Sequence, residues 1–313
     1  MSINNGSRSA AARPGSWRRD ILLNWKIYLI ALPIIAYFII FHYLPMFGIV
    51  MAFQDFSPIK GFLGSEWVGI DNFIKFFTGP SFLLILRNTL VISLLGLVIG
   101  FPASILFAIL LNELNQLFFK KTIQTISYMP YFVSMVVIAG LIIDFCSSNG
   151  IITNLLVNLG MKRQNLLQNP SYFWTINLIS DLWQGLGYGS IIFIAAITNV
   201  SQELHEAATI DGAGRIKRVI HVTIPGMLPV IVTMLILQVG MLMSVGFDKI
   251  LLLYNPTIYS TADVISTHVQ RMGIVNMQYG YSSAVGLFNS VVGTALLLIT
   301  NALSRKYAEH SVF

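Results

Sequence analysis

Residues 205–229 read HEAATIDGAGRIKRVIHVTIPGMLP, and this stretch decides the fold because it breaks the apolar character of the chain around it. Ser201 can cap a helix running through Glu203, Glu206, Ala207 and Ala208, with its carboxylates near the positive N-terminal end. Gly212 and Gly214 break that helix, offering the backbone freedom that a tight turn requires. A second, basic helix carries Arg215, Lys217 and Arg218 and is expected to end at Pro225, with Pro229 marking the entry to the next apolar run. Two short arms joined at a glycine turn form a rigid knob. A plain solvated loop would explain the charge, but not a defined break and a defined stop.

Outward from the knob, the 313-residue chain is 55% hydrophobic and only 10% charged, with a mean hydropathy of +0.73. Soluble domains carry roughly 25% charged residues, so this composition describes an integral membrane protein. A formal net charge of +6 does not indicate nucleic acid, because Lys and Arg cluster in short segments beside apolar runs. One cysteine, Cys146, excludes an intramolecular disulfide and a cysteine metal cage. His42, His205, His221, His268 and His310 are scattered, and neither a nucleophilic triad nor a metal-spaced set occurs.

A membrane helix needs about 20 mostly apolar residues. Six segments qualify, over 27–49, 87–111, 123–145, 173–197, 229–252 and 283–303. Residues 1–24 read as a polar, basic N-terminal tail, and 25–313 as one transmembrane domain. With the tail inside, twelve Lys and Arg fall on the inner side and seven, among them Lys249 and Arg271, on the outer side. The positive-inside bias therefore gives N-in and C-in, with the knob in the cytoplasm. In the first outer segment, WVGIDNFIKFF places Phe73, Phe76 and Phe77 on one face of a short helix, which reads as an interfacial anchor.

The knob resembles the EAA loop of binding-protein-dependent ABC importer permeases, whose pattern is E-A-A, three residues, G, nine residues, I-x-L-P. Here Glu206-Ala207-Ala208 leads through Asp211 to Gly212 and Ala213, and nine residues later Val222-Thr223-Ile224-Pro225 closes the register. Val222 and Ile224 replace the pattern's Ile and Leu. WVGIDNF, YMPYFVSMVV and NVSQELHEAATIDGAG are similar to the carbohydrate-uptake type 1 branch, which includes maltose and glycerol-phosphate permeases. GFDKILLLYNP and VISTHVQRMGI resemble its polysaccharide-type members, although His268-Val269-Gln270 stands where that group has Tyr-x-Tyr.

The resemblance implies an all-α, six-helix type I importer permease (MetI-like) fold in a bacterial cytoplasmic membrane. The knob would be a coupling helix docking on a dimeric ATPase through Glu206, Ala207, Ala208, Asp211, Gly212, Ala213 and Pro225. It further implies a second permease subunit, an extracytoplasmic solute-binding lipoprotein, surrounding membrane lipid and a carbohydrate cargo. ATP and magnesium would sit on the partner, and no cofactor on this chain, which lacks a G-x-x-x-x-G-K-[ST] motif.

Polar residues in membrane spans usually face a bundle interior or a wet cavity. The fourth span holds Asn177, Asp181, Trp183, Gln184 and Tyr188, with 177, 181, 184 and 188 on one helical face. Gln238, Ser244 and Asp248 of the fifth span, and Tyr128, Tyr131 and Ser134 of the third, add polar groups. Aromatic rings beside amides and carboxylates suit a sugar, but interhelical hydrogen bonding fits the same residues. GLGYGS over 185–190 and the run from Gly286 to Gly293 permit close helix contact, within the chain or with a second permease. A permease for an amino acid, peptide or glycerol phosphate shares the coupling loop. An ion-driven carrier would need inverted repeats and a carboxylate set that the sequence does not present.

Overall fold

A computed structural model describes residue 21 and residues 23–307. The tail expected over 1–24 lies almost wholly outside the described residues. The chain divides into one unit ending at Val50 and a second beginning at Met51. Six helical segments are long and apolar enough to cross a membrane: Trp25–Phe53, Phe82–Asn112, Met135–Asn158, Pro170–Thr198, Arg215–Gly240 and Tyr279–Lys306. At 1.5 Å per residue, the 26-residue fifth segment exceeds the ~30 Å hydrocarbon core, whereas the third is interrupted after Cys146 and resumes as a helix at Ile151.

Three of the prolines in these spans are accommodated by a recurring device. A π turn covers Ile39–Tyr43, Gly96–Gly100 and Val219–Thr223, and each ends two residues before a proline: Pro45, Pro102 and Pro225. Each turn closes with a backbone bond reaching back five residues, for example Ile224 N–H to the Val219 carbonyl. The wider turn shifts the carbonyl four residues back out of the proline ring's way, so the helix continues.

This device corrects the sequence reading at the knob. The basic arm does not end at Pro225. Arg215–Arg218 runs through the π turn into Ile224–Gly240, and Pro229 lies inside that helix. The fifth span thus begins in the knob and stops at Gly240, where the expected segment continued to 252. Met241–Gly246 is a non-helical break, and a short helix, Phe247–Leu253, follows. The third segment also differs. An amphipathic helix, Leu117–Tyr128, leads through a 3₁₀ turn with Pro130 and an extended Val133 into Met135–Cys146.

In the second unit, the fourth span packs along the second and also meets Leu117–Tyr128 and the fifth span. At one end Phe173 joins Ile138, Ile142, Ile250 and Val264 in a buried cluster. At the other, Phe193, Ala196 and Ile197 meet Ala108, Ile109 and Met227. Gly187 permits a close approach of the fourth span to Leu117–Tyr128. A Cβ there would stand 2.2 Å from the Ser127 carbonyl oxygen, so GLGYGS serves packing within the chain at that position.

The segment leading into the second span carries the sole strand pair among the described residues, β1 (Gln54–Asp55) antiparallel to β2 (Glu66–Trp67). The helix Asp71–Thr78 is not held only by an interface. Asn72 donates to the Ala52 and Gln54 carbonyls at 3.0 and 3.1 Å, and Phe76 is buried against Phe82, Tyr281 and Phe288. Of its three phenylalanines, only Phe77 remains exposed.

The segment leading into the sixth span forms a tied cap. Asn88 donates to the Ser260 and Asp263 carbonyls, Thr89 accepts from Ile265 N–H, and Trp174 donates to the Thr261 carbonyl. Within the cap, buried Asp263 accepts both guanidinium nitrogens of Arg271 and the Thr267 hydroxyl. Arg271 is therefore held by a buried carboxylate rather than standing as a free surface charge.

Candidate functional site

The knob begins with Ser201, whose Oγ accepts from Glu203 N–H at 3.2 Å and caps Gln202–Ile210. At the other end, Gly212 N–H donates to the Thr209 carbonyl and Ala213 N–H to the Ala208 carbonyl, at 3.1 and 2.9 Å. That pair of bonds is the Schellman arrangement, and Gly212 takes the left-handed position it requires, with φ of +75°. Gly214 is ordinary by comparison: its φ is −67° and it caps the next arm. Arg218 bridges the arms by donating to the Thr209 hydroxyl at 3.1 Å.

Glu206, Ala207, Asp211, Gly212 and Pro225 are exposed, while Ala208 and Ala213 are half-buried. Beside them Ile210 and Ile216 stand 86% and 75% exposed. The result is a capped, stapled hairpin of defined shape, with protruding isoleucines and flanking carboxylates.

The second feature is a cavity of about 970 Å³ between the second, fourth and fifth spans. Asp181, Tyr188 and Gln238 line it, together with Ser93, Ser104 and Ser244. The break at Met241–Gly246 contributes Met241, Leu242, Ser244, Val245 and Gly246 to its wall. The expected fourth-span face is thus divided. Trp183 and Gln184 lie off the wall, and Asn177 is buried behind it. Tyr188 stacks flat on Tyr131, with ring centroids 3.7 Å apart, so one aromatic face is already covered.

Behind Asp181 lies a residue that the sequence reading placed among the outer charges. Lys249 is only 2% exposed. Its ammonium donates to the Asn177 carbonyl at 3.0 Å, to Ser180 Oγ at 3.1 Å, and to the Asp181 carboxylate, with which it forms an ion pair. Asn177 Nδ2 donates to the other Asp181 oxygen at 3.0 Å, while its own Oδ1 is buried without a partner. That amide is oriented by the carboxylate at the expense of its acceptor. The available signal was a Lys in one apolar stretch and an Asp in another, since membrane-buried charges usually pair. Among the described residues, no group of His, Cys, Asp or Glu could hold a metal ion.

Comparison with known proteins gives these features a context. Residues 100–309 match the family model for the binding-protein-dependent transport system inner membrane component. The chain is 42% identical over 288 residues to the polygalacturonan/rhamnogalacturonan transport system permease protein YteP of Bacillus subtilis (strain 168), covering 92% of this chain and 90% of that one. It is also similar to a chain of a bacterial ABC transporter involved in import of the acidic polysaccharide alginate, with a TM-score of 0.86, 39% identity, and 93% and 98% of the two chains covered. In a bacterial alginate ABC transporter in complex with an alginate pentasaccharide-bound periplasmic protein, a chain matches with a TM-score of 0.88 and 37% identity. That match covers 95% of this chain and all of that one.

Proposed function

This chain belongs to the binding-protein-dependent transport system inner membrane component family, and from that membership we propose that it is the permease subunit that carries an oligosaccharide through an ATP-driven importer. The saccharide class is supported by relatives named for polygalacturonan, rhamnogalacturonan and alginate. The chain is a multi-pass membrane protein, and the bacterial cytoplasmic membrane is its proposed site, with both termini inside. A second permease subunit completes the pathway, and a dimeric ATPase binds ATP and magnesium. An extracytoplasmic binding protein delivers cargo from the opposite side.

The observation that carries this reading is the knob. Its exposed Glu206, Asp211, Ile210 and Ile216 surround a turn of fixed geometry, and its basic arm is the first part of the fifth span. Closure of an ATPase dimer around such an element would move the span as a rigid body, as switching between two packings requires. Asp181, Tyr188 and Gln238 face the cavity that the moving span helps to build.

The test uses the complete complex in proteoliposomes. Glu206→Ala and Gly212→Asp should leave the chain inserted and its partner permease bound, while abolishing saccharide-stimulated ATP hydrolysis. Stimulation surviving both substitutions would sink the coupling assignment. Asp181→Ala should reduce uptake without loss of assembly; unchanged uptake would return the cavity to a packing role.

A further inference from the structure

The helix Leu117–Tyr128 carries an exposed lysine, Lys121, that has no ion-pair partner among the described residues. The helix runs antiparallel to the fourth span: Ser127 meets Gly187, and farther along the chain Ile138 and Ile142 meet Phe173. Its first turn therefore stands at the end of the bundle that carries the knob. At 1.5 Å per residue, Gly187 is about 16 Å from the close of the fourth span at Thr198, and Lys121 is about 9 Å nearer that end than Ser127. The remaining gap, about 7 Å, is one that a lysine stem leaning toward its helix N-terminus can bridge, which sets the ammonium at headgroup level.

Lys120, Ile123, Gln124 and Ser127 are half-buried on the side turned to the bundle. The opposite side is a groove of about 350 Å³ lined by Phe118, Lys121, Thr122, Thr125 and Ile126, in which Phe118 and Ile126 are 85% and 64% exposed. Its hydroxyl hydrogens are already committed. Thr122 Oγ1 donates to the Phe118 carbonyl and Thr125 Oγ1 to the Lys121 carbonyl, each at 2.9 Å. The helix itself contains neither Asp nor Glu. The groove is consequently an apolar channel with a single ammonium at its mouth.

We propose that this groove binds an anionic phospholipid of the knob-side leaflet, its phosphate on Lys121 and one acyl chain along Thr122, Thr125 and Ile126. Both halves of the lipid are needed to match the groove. A soluble phosphate would satisfy the ammonium and leave the apolar channel empty, whereas an apolar protein face would fill the channel and bury an unpaired charge, which is costly. Basic pockets beside membrane helices are recurrent seats for acidic headgroups. Phe118, one turn nearer the bundle end, lies where aromatic side chains settle at a membrane interface. The site goes beyond the transport reading and holds whatever the cargo is.

The experiment is native mass spectrometry of the chain in its complete complex, titrated with dioleoylphosphatidylglycerol or dioleoylphosphatidylcholine. The tightest-held phosphatidylglycerol should bind about fivefold more strongly than phosphatidylcholine, the contribution of one lysine near an anionic phosphate. Lys121→Gln should abolish that preference and Lys121→Arg should keep it. Lys120→Gln, on the half-buried flank, should change it by less than about twofold. Thr125→Trp keeps the lysine but fills the groove, and should remove the tight binding of both lipids. Glycerol 1-phosphate should not displace the lipid. Equal affinity of the intact complex for the two lipids overturns the site, as does a preference that survives Lys121→Gln. Equal losses in the Lys120 and Lys121 variants would mean diffuse surface charge and overturn it too. A preference untouched by Thr125→Trp shows the groove unused, the result expected if a partner chain covers this face, and displacement by glycerol 1-phosphate reassigns it to a soluble anion; either overturns the lipid site. The readout is lipid mass, so each outcome is independent of the saccharide reading.

Discussion

Gly212 and Gly214 sit two residues apart in the knob, and a Cβ added at either would meet nothing within 4 Å. They differ in backbone alone: φ is +75° at Gly212 and −67° at Gly214. Gly212→Ala therefore introduces one perturbation, an L-residue in the left-handed region, which costs roughly 1–2 kcal/mol. Free, the hairpin can relax by loosening its Schellman bonds; docked in a rigid cleft, it cannot. The whole cost then appears in docking, weakening the apparent affinity for the ATPase subunit by up to about 5- to 30-fold. Gly214→Ala should change it by less than about twofold, because alanine tolerates that φ. Gly212→Asn should recover part of the loss, since asparagine visits the left-handed region more readily. The assay titrates purified ATPase subunit against permease complex in liposomes and reads saccharide-stimulated hydrolysis. Excess ATPase should restore the Gly212→Ala rate. Equal weakening by the two alanine variants, or none by Gly212→Ala, would refute the argument that turn geometry sets the docking.

Three further outcomes follow from the packing. Phe76→Ala removes a ring buried against Phe82, Tyr281 and Phe288 and should cost about 3–5 kcal/mol, read as a lowered melting temperature in detergent. A loss confined to lipid would restore the interfacial-anchor reading of that helix. Gly187→Ala forces a methyl to within 2.2 Å of the Ser127 carbonyl and should sharply lower the yield of folded protein, whereas Gly185→Ala, with open space around it, should not. Asp263→Asn strands Arg271 and should destabilise the cap by about 3–5 kcal/mol near neutrality. Burial pushes the Asp263 carboxyl up, but hydrogen bonds from His268 and Arg271, with the charge of Arg271, outweigh it and hold the group below its ordinary value. Its folded value being depressed, this stability is present above the unfolded carboxylate pKa of about 3.9 and is lost as pH falls from there. Melting curves should thus show an acid-side decline in the intact chain that is diminished in the variant.

The elements legible in the sequence were those set by one property over a long window. Twenty apolar residues in a row leave the backbone no option but a helix in a bilayer, so six spans could be read without tertiary information. The turn at Gly212 was legible because a helix stop followed by a positive-φ requirement is local chemistry. Segment ends were less so. Proline at 225 stops most helices, but here a π turn placed beforehand lets the helix pass, and five residues of backbone register cannot be inferred from residue type. The third segment failed for the opposite reason: Pro130 and Val133 break a run whose composition still qualifies as one span. Lys249 and Phe76 were misplaced because their environments are made by distant chain. Lys249 meets the carbonyl and side chains of residues 177–181, and Phe76 meets the sixth span. The cavity needed the structure, since Asp181 and Gln238 belong to different helices and helical spacing relates neither to the other.

These departures concern one piece of polypeptide, and together they specify how motion would cross the protein. A knob joined to the fifth span by a flexible loop would dissipate a push from the ATPase. Arg215 to Gly240 is instead continuous, with Pro225 accommodated rather than used as a stop. Such a lever stays stiff only while its backbone bonds persist, and the bond from Ile224 N–H to the Val219 carbonyl closes the one irregular turn. At the far end the lever stops at the cavity wall. Met241–Gly246 is non-helical, and beyond it Phe247–Leu253 is anchored to the fourth span by Lys249. A displacement arriving from the knob would therefore carry Gln238 with the lever and be absorbed in the break, where Ser244 faces the cavity, while Asp181 stays fixed to its lysine. On the proposed reading, this moves one wall of the cargo site past the other. That is the relative motion a cavity needs to exchange one opening for another.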